Sequence, residues 1–149
     1  MKYWIVALAA LSACRHASTG VEVPIELAGP GRAVILLTAH VNGKGPFVFT
    51  LDTGATMTLV SPEVAQMAGL EVIGKGEATG AGGKIVVSLS RAADVTVGTA
   101  EVQDLPVGII DVAPLGGAMG TKIDGILGHN FLQMFRVTID YRNEKLHFE

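Results

Sequence analysis

The chain has 149 residues, which favours one domain; 49% are hydrophobic, 5% aromatic and 19 are glycine. Few charges, small side chains and abundant glycine point to a β-rich domain with tight turns. The net charge of −3 argues against nucleic acid as a partner, and the single cysteine excludes an intramolecular disulfide and a multi-cysteine zinc site.

Met1 and Lys2 precede an apolar run from Tyr3 to Leu11. The run is too short for a bilayer span, which needs about 20 residues, and fits the apolar core of a secretory signal. It ends in Leu11-Ser12-Ala13-Cys14, which resembles the lipobox of bacterial lipoproteins. That resemblance implies a signal peptide over residues 1–13, lipidation at Cys14 and a polar tether over residues 14–20. The alternative is a plain signal peptide followed by an incidental cysteine. Arg15 stands where such lipoproteins often carry an Asp for inner-membrane retention, so an outer membrane is favoured where one exists. The expected location is extracytoplasmic, lipid-anchored and facing the periplasm.

The domain then spans 21–149. Val21 to Leu27 alternates as a half-buried strand. Ala33 to Val41 and Pro46 to Leu51 flank Asn42-Gly43, a hairpin signal. Leu59-Val60 continues as a strand. Ser61-Pro62-Glu63 reads as a capped helix start, and Gly69 as the helix end. Residues 74–84 form a glycine-dense segment. Strands follow over 85–89, 93–97, 100–105 and 107–112, with Gly98-Thr99 as a turn. Pro114 to Thr121 reads as a loop, Ile123 to Leu127 as a buried strand and Gly128 to Met134 as a short helix. Arg136 to Tyr141 and Lys145 to Phe148 close the chain as a hairpin. The whole reads as all-β, a closed or orthogonal β-barrel-like lobe with one or two short helices and no second domain.

The chemistry lies between Phe47 and Val60. A strand delivers the chain into Asp52-Thr53-Gly54-Ala55, and a carboxylate at the end of an apolar strand is costly without partners. This triplet, its preceding strand and the following Leu59-Val60 resemble the aspartic proteases, position by position. Asp124-Gly125-Ile126-Leu127-Gly128 resembles the strand that crosses beside the catalytic loop in that family. Two departures from the retroviral pattern stand out. Thr56 and His129 occupy positions where a charged Asp–Arg brace is usual, and the Ser61–Gly69 helix is an addition. Both look more like bacterial single-lobe, retropepsin-like relatives. A brace in this chain, if present, must therefore be a neutral hydrogen bond or something else.

The resemblance implies an all-β acid protease lobe that hydrolyses peptide or protein substrates without a cofactor. Asp52, Thr53 and Gly54 would form the catalytic loop, with Ile126, Leu127 and Gly128 as its structural support. Ala55, Thr79, Gly80, Ala81 and Gly82 would contact substrate, the last four from a flap that must open and close. An ordinary mobile loop is the alternative for that segment. The chemistry needs two carboxylates and the chain carries one Asp-Thr-Gly, so the implied unit is a homodimer with Asp52 from each chain. Asp124 is the alternative second carboxylate. A competing function is a non-catalytic envelope lipoprotein that uses the lobe as a peptide-binding or assembly module, motivated by Thr56 and His129. His16, His40 and His147 have no metal-ligand spacing, and His129 is a structural candidate.

Overall fold

The computed structural model describes residues 20–80 and 83–149. The expected signal, Cys14 and most of the tether lie outside the described residues. Among the described residues, eleven strands, three short α-helices and one 3-10 turn (Pro30–Arg32) follow in order. They are β1 (Val21–Pro24), β2 (Glu26–Ala28), β3 (Val34–Val41), β4 (Lys44–Leu51), β5 (Thr58–Val60), α1 (Pro62–Met67), β6 (Gly74–Gly80) and β7 (Gly83–Val97). Then come β8 (Ala100–Ile109), α2 (Ala113–Met119), β9 (Gly125–Leu127), α3 (His129–Leu132), β10 (Val137–Asp140) and β11 (Lys145–Phe148).

Local chemistry explains the early elements. Asn42 and Gly43 both have positive φ, at 50° and 67°, which is what a tight hairpin between twisted strands requires. The Asn42 side chain then clips the turn in place. Its amide donates to the Ala68 carbonyl at 2.9 Å and its oxygen accepts from the Ala93 N–H at 2.8 Å. Ser61 caps α1 by accepting from the Val64 N–H at 3.1 Å, with Pro62 in the first turn, as expected. Val64 and Ala65 bury the inner face of this helix.

The strands form an eight-stranded sheet in the order β2-β3-β4-β9-β5-β8-β7-β6, and β3 also pairs with β7 to curl the sheet towards closure. Its core holds Phe49, Val60, Val64, Val95, Val97, Val107 and Leu127, all at most 1% exposed. A second sheet, β1-β11-β10, joins the two ends of the domain. Phe131, Phe135 and Phe148 pack together with ring centroids 5.4 to 6.1 Å apart, which locks α3 onto this terminal sheet.

Several expected boundaries change. The strand over Val21–Leu27 breaks at Ile25, whose N–H turns to the Glu144 carbonyl at 3.0 Å. The strands expected over 85–89 and 93–97 are one strand, β7, and those over 100–105 and 107–112 merge into β8. The Pro114–Thr121 loop is instead the helix α2. Pro114 sits in its first turn and Gly120 closes it in the left-handed conformation. Gly116 is a packing glycine, because a Cβ there would come within 2.6 Å of the Thr121 carbonyl oxygen.

Candidate active site

The site is built where β9 inserts between β4 and β5. It runs parallel to β4, with Thr50 opposite Ile126 and Leu51 opposite Leu127, and antiparallel to β5, with Leu59 opposite Ile126. Such close approach demands glycine at both ends of the short strand. A Cβ on Gly125 would lie 2.5 Å from the Phe49 ring and 2.7 Å from the Leu59 carbonyl oxygen. A Cβ on Gly128 would lie 2.5 Å from the Met57 carbonyl carbon and oxygen. These contacts are with backbone or a packed ring, so they cannot relax cheaply.

The Asp52 loop hangs from this crossing. The Asp52 N–H donates to the Leu127 carbonyl at 3.1 Å, and the Ala55 N–H to the Asp52 carbonyl at 3.2 Å. The Gly54 N–H donates to Asp52 Oδ1 at 2.8 Å, which orients the carboxylate. On the far side of the loop, the His129 N–H donates to the Ala55 carbonyl at 2.7 Å and the Asn130 N–H to the Thr56 carbonyl at 3.2 Å. Thr56 and His129 therefore meet the loop through backbone bonds. Asp52, Thr53 and Gly54 are exposed in a single chain.

Asn130 supplies the neutral brace. Its side-chain oxygen accepts from the Thr58 N–H at 2.8 Å and from Thr58 Oγ1 at 2.9 Å, and its amide donates to the Pro106 carbonyl at 2.8 Å. Thr58 Oγ1 in turn accepts from the Gly128 N–H at 3.2 Å. One side chain thus ties α3, β5 and β8 together beneath the loop. Sequence reasoning missed it, although Asn130 directly follows the Gly128-His129 pair that drew attention.

The β6–β7 hairpin covers a cleft of about 860 Å³ that is bordered by Asp52, Gly54, Ala55, Thr56, Thr79 and Ile126. The segment expected to be a glycine-rich flap is an ordered ladder up to its tip, with Ala78 opposite Ile85 and Gly76 opposite Val87. Ile85, Val87 and Leu89 line the cleft, so its roof is apolar. Gly80 ends β6 opposite Gly83; Ala81 and Gly82 lie outside the described residues. Asp124 sits elsewhere, in a separate hollow beside Lys122 and α1. Its Oδ2 accepts from the Val48 N–H at 2.9 Å and its Oδ1 pairs with Lys122 at 3.1 Å. That carboxylate raises the Lys122 ammonium above its usual pKa. Asp124, only 8% exposed, anchors the entry to β9, and the bonds that consume its oxygens remove it as a second carboxylate for Asp52.

A curled sheet with an Asp-Thr-Gly loop braced by a crossing strand, under a hairpin, defines a single-lobe acid protease. A family model described as aspartyl protease matches residues 37–131, and the chain belongs to that family. Its fold is that of the retropepsin-like enzymes. It is similar to the crystal structure of a retropepsin-like aspartic protease from Rickettsia conorii, with a TM-score of 0.56 and 20% identity, covering 87% of this chain and 93% of that one. No curated protein matches the chain.

Proposed function

We propose that this protein is an aspartic endopeptidase whose working unit is a homodimer, with Asp52 of each chain meeting across a two-fold axis. The observation that carries the proposal is the exposed Asp52 carboxylate, held by Gly54 at the floor of the covered cleft, in a chain with one such loop. Two carboxylates a few ångströms apart share one proton. The ionised member takes a proton from water as the water attacks the peptide carbonyl. The protonated member donates to the developing oxyanion and then helps the amine leave. No covalent intermediate forms, and the titration belongs to the pair. Thr53 of each chain steadies the opposing loops. Extended peptide lies between the loop and the apolar underside of the β6–β7 hairpin, near Ala55 and Thr79.

The chain is further proposed to be exported, lipidated at Cys14 and held at a membrane facing the periplasm; the leader pattern ending in Leu11-Ser12-Ala13-Cys14 supports this. Two or more acyl chains would hold it firmly. The binding-module reading rested on the missing charged brace, and the Asn130–Thr58 network removes that motive.

The test compares the full chain with Asp52→Asn on a mixed peptide library across acidic to neutral pH. Loss of about 1,000-fold or more in rate is expected for the variant, with a bell-shaped pH profile for the parent. Equal cleavage by both proteins would overturn the role of Asp52. No cleavage by either, with a folded dimer established, would favour the binding module.

A further inference from the structure

The back of the cleft is one row of residues in register across the large sheet. Ile126 of β9 stands opposite Leu59 of β5, Leu59 opposite Gly108 of β8, and Gly108 opposite Leu89 of β7. Residues paired in this way project to one face of a sheet. Ile126, Leu59 and Leu89 all line the cleft that holds Asp52, so the row is an aliphatic wall with one notch, at Gly108. We propose that Gly108 sets the size of the substrate side chain that the cleft accepts, by letting Leu59 and Val87 sink into the sheet. This deepens the endopeptidase reading above and rests on it.

The backbone does not require glycine at this position. Gly108 lies within β8 and its φ is not positive, so any residue could adopt the conformation. What the glycine supplies is space. A Cβ at 108 would lie 2.6 Å from Leu59 Cδ2 and 2.6 Å from Val87 Cγ1, with Met57 Sδ next at 3.6 Å. All three of those side chains line the cleft. Gly125 and Gly128 differ, because an added Cβ there meets a packed ring or backbone at 2.5 Å. At Gly108 only side chains must give way, and the side open to them is the cleft.

The two close neighbours do not give equally. Val87 is β-branched, stiff at its first side-chain torsion and 3% exposed. Leu59 is half-buried, and the atom met is the far end of its flexible side chain. Carbon atoms rest about 3.5 to 4.0 Å apart, so Leu59 must retreat by about 1 Å. A methyl group at 108 itself blocks the sheet side, so the displaced leucine moves out into the cleft. The wall then stands closer to the peptide, and a large apolar side chain loses the room that a small one never used. One methylene of difference in an apolar pocket discriminates by about tenfold or more. Gly108 touches no substrate; it is a positioning residue that acts through Leu59 and Val87.

The experiment uses the detergent-solubilised full chain and peptides that carry Ala or Phe at one position, taken in turn on either side of the scissile bond. The readout is the ratio of kcat/KM for the Phe peptide to that for the Ala peptide, at the position where the parent discriminates most. Gly108→Ala is expected to lower this ratio about tenfold, with the Ala peptide cleaved within about threefold of the parent's rate. Leu59→Ala should raise the ratio. The double variant should return it towards the parent's, since the methyl at 108 fills part of the space that the leucine vacates. A glycine kept for packing alone would lose rate on both peptides together and leave the ratio fixed. That result overturns the role of Gly108 and leaves the endopeptidase reading standing. If Gly108→Ala fails to fold alone, the double variant is compared with Leu59→Ala: a lower ratio in the double variant supports the proposal, and an equal one overturns it. A parent that cleaves no peptide overturns the endopeptidase reading and the role of Gly108 with it.

Discussion

Replacing Asn130 with Ala removes the brace while leaving every backbone bond of the loop nominally intact. Three side-chain hydrogen bonds disappear, two to Thr58 and one to Pro106. Each is worth about 1 kcal/mol net. Thr58 is fully buried, so its N–H is stranded away from water, whereas the carbonyl of the exposed Pro106 gains a water in exchange. The stranded donor dominates, and the total loss is about 3 kcal/mol. For a domain of this size that corresponds to a fall in Tm of roughly 10 °C. Asn130→Asp keeps the acceptor for Thr58 but sets an oxygen against the Pro106 carbonyl, and should fall between the two. Urea unfolding gives the stability, and peptide hydrolysis measured below the unfolding transition gives the activity. The rate should drop with stability, because the segment holding Asp52 loses its support. A loss under about 1 kcal/mol with an unchanged rate would refute the assignment of Asn130 as the brace.

Gly128→Ala should be more damaging, since its methyl meets Met57 backbone at 2.5 Å; a loss of about 3 kcal/mol or failure to accumulate folded protein is expected, read by thermal unfolding. Asp124→Ala leaves the Val48 N–H without its acceptor and should cost about 2 kcal/mol in urea unfolding, while Lys122→Ala leaves Asp124 Oδ1 buried without its cation and should cost about 1 kcal/mol. Asp140 has a pKa lowered below its ordinary value of 3.8, chiefly by the Asn143 side chain and then by its N–H. A depressed carboxyl stabilises the fold above its unfolded pKa and loses that contribution as pH falls through the folded value. The urea midpoint of Asp140→Asn should therefore lie below the parent's at neutral pH and converge with it in strong acid. A gap that persists there would refute the linkage.

The parts of the site carried by local chemistry were legible in the sequence. Asn42-Gly43 has one natural backbone solution between two apolar runs, Ser61-Pro62 caps a helix, and a strand ending in Asp52-Thr53-Gly54 is distinctive. The parts carried by long-range pairing were not. Asn130 is a lone amide in a short helix, and its value comes from Thr58 and Pro106, which are distant in sequence. The union of β1 with β11 joins opposite ends of the domain and leaves no periodic trace. α2 was hidden because its glycines read as breakers, whereas Gly116 is there to let the following turn pack against the helix.

The roof of the cleft is one half of a beam whose other half is buried. β7 runs unbroken through 15 residues, from Gly83 beside the hairpin tip to Val97, which is fully buried. Val95 and Val97 are clamped by β8, and Val95 also by β3, while Ile85 and Val87 overhang the site. Opening the cleft therefore means bending a cantilever, not swinging a loop on a hinge. Its stiffness is set at the root, far from any substrate, so repacking around Val95 would retune access to Asp52 without touching it.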